Sequence, residues 1–157
     1  MQGNPVFMEK AIALATENVT SGRGGPFGAV IVRDGEIIAT GANLVTATND
    51  PTAHGEIVAI RNACAAIGSF QLTGCDIYTS CEPCPMCLAA IYWARCDAIF
   101  YGSSAADAAA AGFDDAFLYR EIELPINQRK IPAVSLLEEK AISSFDAWRA
   151  HAARIHY

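Results

Sequence analysis

The apolar residues of this chain alternate between a helical and a strand period from end to end, and this alternation limits the possible folds most strongly. Helical spacing from about Glu9 to Val19 predicts a first helix. The stretches FGAVIVR and EIIATGA, joined by Asp34-Gly35, predict an antiparallel hairpin. A second long helix is predicted from about Ala53 to Ala66, ending at Gly68. The amino-terminal part of the chain therefore reads α-β-β-α.

The carboxy-terminal part continues the same alternation. Three stretches have the composition of strands: CDIYTS, DAIFYG and PAVSLLE. Four have the composition of helices: CPMCLAAIYWA, SSAADAAAAG, DDAFLYREI and ISSFDAWRAHAARI. The overall order α-β-β-α-β-α-β-α-β-α predicts an α/β fold with one mixed sheet and helices on both faces, in which strands joined through helices run parallel.

Length and charge restrict the class of protein. The 157 residues suit a single domain over 1–157, with no internal repeat or linker. The net charge of −6 disfavours a nucleic-acid partner, because phosphate binding needs Lys and Arg in excess. No apolar run approaches the roughly 20 residues of a membrane span, and the amino terminus does not have the pattern of a secretory signal. We therefore expect a cytoplasmic protein without a membrane partner.

Two short motifs carry the candidate chemistry, and each opens a predicted helix. The first contains His54 and the second, PCPMC, contains Cys84 and Cys87. Cysteines three residues apart lie on one face of a helix and can share a metal ion. The helix amino terminus favours their thiolate form. With His54 as a third ligand, one tetrahedral position stays open, which is typical of a catalytic zinc site with one Zn²⁺ per subunit.

Glu56 lies two residues after the histidine ligand and is the candidate general base. Zinc lowers the pKa of a bound water to about 7 in favourable sites, and a neighbouring carboxylate can take the proton of that water. Two thiolates make the zinc a weaker Lewis acid than three histidines would, so a nearby base matters more. The combined pattern H-x-E…P-C-x-x-C is typical of zinc-dependent nucleobase deaminases.

Two other interpretations of the same residues are considered. A closed structural zinc knuckle would use Cys81 as a fourth ligand, but it would leave Glu56 without a role. A zinc module that binds a partner protein would have no activity and would unfold on chelation. We expect Cys81 to be a buried neighbour of the site. We expect the remaining cysteines to be small buried hydrophobic residues: Cys64, Cys75 and Cys96.

With these motifs the chain resembles the cytidine-deaminase superfamily and, within it, the small bacterial guanine deaminases. The resemblance runs over nearly the whole chain and includes GGPFGAVIV, NDPTAHGE, YTSCEPCPMCLAAIYWAR, AGFDDAF and the carboxy-terminal Tyr157. It implies a three-layer α/β/α sandwich with a five-stranded mixed sheet. It also implies a homodimer with exchanged carboxy-terminal segments.

The resemblance also implies the substrate pocket. Phe27, Asn43 and Trp93 are expected to line it, while Asp115 and Tyr157 close it from the partner subunit. Aromatic faces suit a planar base. Gly55 departs from the family, in which alanine is common, and we expect the missing methyl group at the pocket wall to admit larger substrates.

The chemistry of the bases favours guanine, a small purine, as substrate. Its N1–H and exocyclic amino group form a row of donors that an ionised Asp115 can accept, whereas cytosine and adenine present an acceptor there. The expected reaction converts guanine to xanthine and ammonia, with Glu56 moving both protons and Asp115 assisting. Guanosine, cytosine, amino-triazines and adenosine in tRNA are the alternative substrates, of which tRNA is disfavoured by the charge and cytosine by Asp115.

Overall fold

The chain forms two compact units, seen in a computed structural model that describes residues 2–157. The first unit ends at Ala116 and the second is Phe117–Tyr157. The single domain that the sequence predicts over 1–157 stays a prediction. Four strands belong to the first unit: β1 (Gly28–Arg33), β2 (Glu36–Ala42), β3 (Cys75–Cys81) and β4 (Ala98–Ser103). Five helices accompany them: α1 (Pro5–Thr20), α2 (Val45–Thr48), α3 (Gly55–Ile67), α4 (Pro85–Ala94) and α5 (Ala105–Ala110).

The strands form one mixed sheet in the order β2-β1-β3-β4. β1 is antiparallel to both β2 and β3, and β3 is parallel to β4, as expected for strands joined through a helix. The predicted hairpin between β1 and β2 is confirmed. Asp34 and Gly35 have φ values of 51° and 79°, which is the left-handed backbone that a two-residue hairpin turn requires.

Helices cover the two faces of this sheet and give the first unit three layers. Alternate side chains of β1 point to opposite faces, so that Ala29 and Ile31 join one core cluster, and Val30 and Val32 join another. The first cluster contains side chains of α3 and α4, and the second packs against Phe7, Met8 and Leu14 of α1. Because β1 is buried on both faces, it holds the centre of the sheet in place between the helices.

Several helix bounds differ from the sequence prediction. α1 begins four residues earlier than predicted, because the Asn4 side chain accepts a hydrogen bond from the Val6 N–H and Pro5 suits the first helical position. α3 ends at the left-handed Gly68 as predicted. The short α2 is not predicted from the sequence. None of the helices in residues 2–157 is both long and apolar enough to cross a membrane.

The second unit contains helices but no strand, so the prediction of a fifth strand at PAVSLLE is wrong for the described chain. It holds most of α6 (Ala116–Glu123), a 3-10 turn (Ile126–Gln128) and α7 (Glu138–Ala150). The segment 132–136 has no helix or strand assignment, and Val134 and Leu136 are 86% and 81% exposed. Alternating apolar residues favour a strand only where a neighbouring strand can pair with it, and this segment pairs with none of the described strands.

Gly41 of β2 sets how closely α3 approaches the sheet. A Cβ at this position would lie 2.2 Å from the Gly55 carbonyl oxygen and 2.3 Å from the Ala59 nitrogen, so an added methyl group would overlap the backbone of α3. We expect Gly41→Ala to lower the free energy of unfolding by about 3 kcal/mol, measured by urea denaturation.

Gly25→Ala is the matched control for this prediction, because its Cβ would be 3.4 Å from the nearest neighbouring atom, an ordinary contact. We expect the control to remain within about 1 kcal/mol of the parent. Equal unfolding midpoints for the two variants would show that the close packing of α3 on β2 does not require glycine at position 41.

Candidate metal centre and active site

The three predicted metal ligands come together where α3 and α4 begin. His54 and Cys84 occupy the N-cap positions of the two helices with extended backbone, and Cys87 lies in the first turn of α4. An N-cap side chain usually accepts a hydrogen bond from its own helix, but neither His54 nor Cys84 makes one. Both side chains are therefore available to a metal ion.

The distances between the donor atoms fit a tetrahedral zinc ion. The Nδ1 atom of His54 lies 3.7 Å from the Cys84 Sγ and 3.5 Å from the Cys87 Sγ. Zinc bonds of about 2.3 Å to sulfur and about 2.0–2.1 Å to nitrogen, at tetrahedral angles, place such atoms about 3.6 Å apart. The three donor atoms lie within 4.8 Å of one another. The residues present therefore fit the ion.

Cys81 does not belong to this group of ligands. Its Sγ is 3.6 Å from the Ser104 carbonyl oxygen, to which it donates a hydrogen bond, and its side chain is buried at the end of β3. Among residues 2–157, the group that could hold a metal ion contains one histidine and two cysteines and no fourth donor. The arrangement is that of an open site with one free coordination position.

The ligands are electrostatically prepared for a cation. A hydrogen bond from Cys87, with further help from His54, lowers the pKa of Cys84 to about 4. The hydrogen bond to Cys84 raises the pKa of His54. The hydrogen bond to Cys84, together with burial, raises the pKa of Cys87.

Glu56 is buried beside the ligands. Its side chain is 5% exposed, and it lies in the first turn of α3. Burial raises the pKa of this carboxyl, while a hydrogen bond with Cys87 lowers it. A carboxyl group with a raised pKa that touches a ligand can both take up and release protons at the open coordination position.

Phe27 and Asn43 form a pair next to this centre. The Asn43 N–H donates to the Phe27 carbonyl oxygen at 2.9 Å, and the Asn43 Oδ1 accepts from the Val45 N–H at 3.2 Å. Within the described residues the Nδ2 group of Asn43 makes no hydrogen bond, so the side chain offers a donor rather than an acceptor. The side chain is 7% exposed, and a ligand acceptor could replace water at this donor.

Gly55 lies against the backbone of Phe27 and Gly28. A Cβ at this position would lie 3.1 Å from the Phe27 carbonyl oxygen and 3.4 Å from the Gly28 Cα. The missing methyl group would therefore point at the backbone of β1 and its preceding residue. This geometry does not fit the expectation of an enlarged pocket. It shows instead that glycine allows a closer approach of α3 to Phe27.

The loop before α6 lies near the metal ligands of its own chain. The rings of Phe27 and Phe113 pack edge to face, with centroids 4.9 Å apart. Burial and the charge of Cys84 raise the pKa of Asp115. We expected Asp115 from the partner subunit, but no exchange is needed to bring it near Cys84. Phe113 was missed by the sequence reasoning, although it stands in the AGFDDAF stretch that carries the resemblance.

Trp93 and Tyr157, the other two predicted pocket residues, are both exposed within their own units. Trp93 is nine residues beyond Cys84 along α4, about 14 Å at the helical rise, and is 64% exposed. Tyr157 belongs to the second unit, where its ring packs against Trp148 and is 71% exposed. The pocket role expected for both residues stays a prediction.

Known proteins share this sequence and this structure. The family model for the cytidine and deoxycytidylate deaminase zinc-binding region matches residues 1–103. The guanine deaminase of Bacillus subtilis is 56% identical over 151 residues, which cover 96% of this chain and 97% of that protein. The X-ray structure of guanine deaminase from Bacillus subtilis superposes with a TM-score of 0.96, at 54% identity, over 99% of both chains.

A second group of relatives matches a smaller part of this chain. The tRNA-specific adenosine deaminase of Agrobacterium fabrum is 50% identical over 78 residues, which are 50% of this chain and 51% of that protein. The ligand distances, the buried Glu56 and the matched family model agree with one another. The chain belongs to the cytidine and deoxycytidylate deaminase family, whose zinc-binding region it carries.

Proposed function

We propose that this protein is a zinc-dependent guanine deaminase, which hydrolyses guanine to xanthine and ammonia. The observation that carries the proposal is the buried Glu56 carboxyl group against a His/Cys/Cys cluster with one open position. The choice of guanine rests on the Bacillus subtilis relative, which matches both units of this chain.

The chain's own residues supply binding and proton transfer. His54, Cys84 and Cys87 hold the zinc ion, which when bound activates a water molecule near neutral pH. Glu56 takes a proton from the attacking water and delivers it to a ring nitrogen of guanine, N3, as the water oxygen bonds to C2. Glu56 then carries the second proton from the oxygen now bonded to C2 to the amino group, and that oxygen becomes the carbonyl oxygen of xanthine. The C2–N bond breaks, and ammonia leaves with xanthine as product.

Two polar residues select the base. The Asp115 carboxylate accepts hydrogen bonds from the N1–H and amino donors of guanine, and it assists the protonation of the leaving group. The Asn43 Nδ2 donates to an acceptor on another edge of the base. Phe27, packed against Phe113, presents an aromatic surface to the planar ring. A base with an acceptor beside its amino group would leave the Asp115 carboxylate without a partner.

The proposed reaction is tested by ammonia release from purified zinc-loaded protein. Guanine, guanosine, cytosine, adenine and an amino-triazine are offered in parallel, and xanthine is identified by chromatography. We expect guanine to be converted with the highest kcat/KM. Faster conversion of another base would mean that this base, and not guanine, is the substrate. Ammonia from none of them would overturn the proposal of a deaminase.

Asp115→Asn tests the selection of guanine. The variant keeps the size of the side chain but presents an amide donor where the base also has donors, so we expect kcat/KM for guanine to fall about 100-fold. Asp114→Asn is the matched control, because the Asp114 Oδ1 only accepts from the Ala116 N–H, at 2.9 Å, and asparagine can do the same. Equal kcat/KM values for the two variants would remove Asp115 from the pocket.

We further propose a homodimer in which the second units are exchanged. No side chain of Phe117–Tyr157 is buried, and many are large and apolar, with Ile131 79% exposed and Phe145 63% exposed. Large exposed apolar surfaces mark interaction sites. A second copy of the chain would cover them.

The site of the exchange would be the free edge of β4. β4 is the last strand in the order of the sheet, and a cavity of about 380 Å³ beside it is lined by Pro5, Met8, Ile99, Phe100 and Tyr101. The partner's 132–138 segment would pair with this edge as the fifth strand of the sheet. Each active site would then lie in one complete domain built from both chains. Tyr157, and by the same symmetry Trp93, would then serve the pocket of the partner.

Mixing inactive subunits tests the exchange. Glu56→Gln and Tyr157→Ala chains, each of low activity, are unfolded together and refolded with zinc. If each pocket combines Glu56 of one chain with Tyr157 of the other, about a quarter of the sites regain both residues. A mixture no more active than its components, or a particle at the single-chain mass of 16.7 kDa in light scattering, would contradict the exchanged dimer.

We also propose a cytoplasmic protein with a small-molecule substrate and without nucleic-acid or membrane partners. All six cysteines are free in the structure, and the zinc ligands require reduced thiols. The net charge of −6 opposes binding to a polyanion. Retention of tRNA on the protein at moderate salt would contradict this part of the proposal.

A further inference from the structure

A closed ring of hydrogen bonds joins α1 to both walls of the pocket. The two amide hydrogens of Asn18 are donated to the carbonyl oxygens of Gly25, at 2.9 Å, and of Asn43, at 2.8 Å. The Gly25 carbonyl also accepts from the Phe27 N–H at 2.9 Å, and the Phe27 carbonyl accepts from the Asn43 N–H at 2.9 Å. The positions of Phe27 and Asn43 are therefore tied to each other through one side chain of α1.

Only a primary amide of this size can close the ring. Asn18 is 0% exposed, and the two carbonyl oxygens that it faces need two donors. Its orientation is fixed, because the reversed amide would place its oxygen against both carbonyl oxygens. The Oδ1 atom is buried without a hydrogen-bond partner among the described residues, which is unfavourable. The two donated bonds must compensate for that loss.

Gly24 of the neighbouring loop packs tightly against the ring. A Cβ on Gly24 would lie 2.2 Å from the Asn43 carbonyl oxygen and 3.0 Å from the Asn18 Nδ2. A Cβ on Gly25 would be 3.4 Å from the Phe27 ring and 3.7 Å from the Asn43 Cγ. The loop thus packs between the two pocket residues, and Asn18 holds it there from the buried side.

We propose that Asn18 is a positioning residue of the substrate pocket. It does not contact the base; it sets the separation of the Phe27 ring and the Asn43 donor, between which the base binds. This role rests on the proposed function, since it assumes that these two residues bind guanine. Loss of the amide should weaken binding of the base while leaving the zinc ligands in place, because none of them belongs to the ring.

Binding is measured without turnover in the zinc-loaded Glu56→Gln protein. Asn18→Ala and Asn18→Leu are added separately, and the dissociation constant of guanine is determined by titration calorimetry. We expect each to raise it about tenfold, which corresponds to about 1.4 kcal/mol. Leucine has the branched shape of asparagine, although its methyl groups are bulkier than the amide, and it removes the unpaired oxygen, so this variant tests the loss of the amide without the cavity that alanine leaves.

Leu72→Ala is the control for a merely structural effect. Leu72 is also 0% exposed, but it belongs to the core cluster of Ile77 and Ile91. We expect it to lower the melting temperature and to leave the dissociation constant within about twofold of the parent. If Leu72→Ala weakens binding as much as the Asn18 variants do, the effect is general destabilisation and the proposal is wrong.

Crystal structures of the Asn18 variants provide a test that does not depend on the substrate. We expect the Phe27 ring and the Asn43 side chain to move while His54, Cys84 and Cys87 keep their places. Unmoved pocket residues, or unchanged guanine affinity in Asn18→Leu, would overturn the positioning role. Failure of the Glu56→Gln parent to bind guanine would instead count against the proposed function, and the structures would then decide on Asn18 by themselves.

Discussion

Glu56→Gln should abolish turnover and leave the zinc content at one ion per chain. The substitution keeps the size of a side chain that is 5% exposed, but glutamine can neither take a proton from water nor deliver it to the base. Because both proton transfers of the proposed reaction use this carboxyl group, we expect kcat on guanine to fall by about 10³-fold or more. Zinc is measured by elemental analysis on the same samples.

Glu82→Gln is the matched control for the loss of this carboxylate. Glu82 lies close to the ligands in sequence, but its Oε2 accepts from the Ala105 N–H at 3.0 Å, a bond that the amide oxygen of glutamine can replace. We expect it to keep most of the activity. A Glu56→Gln protein that retains turnover would refute the role of Glu56, whatever the control shows.

Cys84→Ser should lose zinc and activity together. A serine hydroxyl stays protonated at neutral pH and is a poor zinc ligand, whereas the pKa of Cys84 is already lowered to about 4 by Cys87 and His54. After dialysis against a chelator we expect the variant to hold less than about 0.1 zinc per chain and to show no measurable deamination.

Cys81→Ser is the corresponding control, three residues earlier in the chain. The Cys81 Sγ bonds to the Ser104 carbonyl oxygen, and a serine hydroxyl can donate to the same acceptor. We expect it to keep both zinc and activity. Zinc loss from Cys81→Ser, with zinc retained by Cys84→Ser, would mean that Cys81 and not Cys84 is the zinc ligand.

The ligand set could be predicted because its signals are local. His54 and Cys84 each stand directly before a helix, and the spacing of Cys84 and Cys87 places them within one helical turn. Gly68 and the Asp34-Gly35 turn are also local, since left-handed backbone restricts the choice of residue. Such features follow from a few neighbouring residues, and the structure has them where the sequence indicates.

The features that could not be predicted depend on contacts between distant parts of the chain. The 132–138 segment has the alternation of a strand, but pairing depends on an available edge, which the pattern does not describe. The neighbours of Asp115 and Trp93 follow from tertiary structure rather than from spacing. The ring of hydrogen bonds through Asn18 connects residues up to 25 positions apart. In the sequence, Asn18 is only an asparagine near the end of a predicted helix.

Some of the missed features did carry a signal. Asn4-Pro5 is a favourable start for a helix and marks the beginning of α1 four residues before the predicted one. The helix predicted at the alanine-rich stretch is confirmed as α5, and the capping box of Ser104 and Asp107, which the sequence analysis does not identify, fixes where it begins. The four residues of α2 are too few for a periodic pattern to identify.

The central claim is that one zinc ion is held by one nitrogen and two sulfurs with one position open to water. Zinc K-edge X-ray absorption on the purified protein tests this most directly. We expect two sulfur neighbours at about 2.3 Å and two nitrogen or oxygen neighbours at about 2.0–2.1 Å. Three sulfur neighbours and a single nitrogen neighbour would show a closed site and contradict the claim.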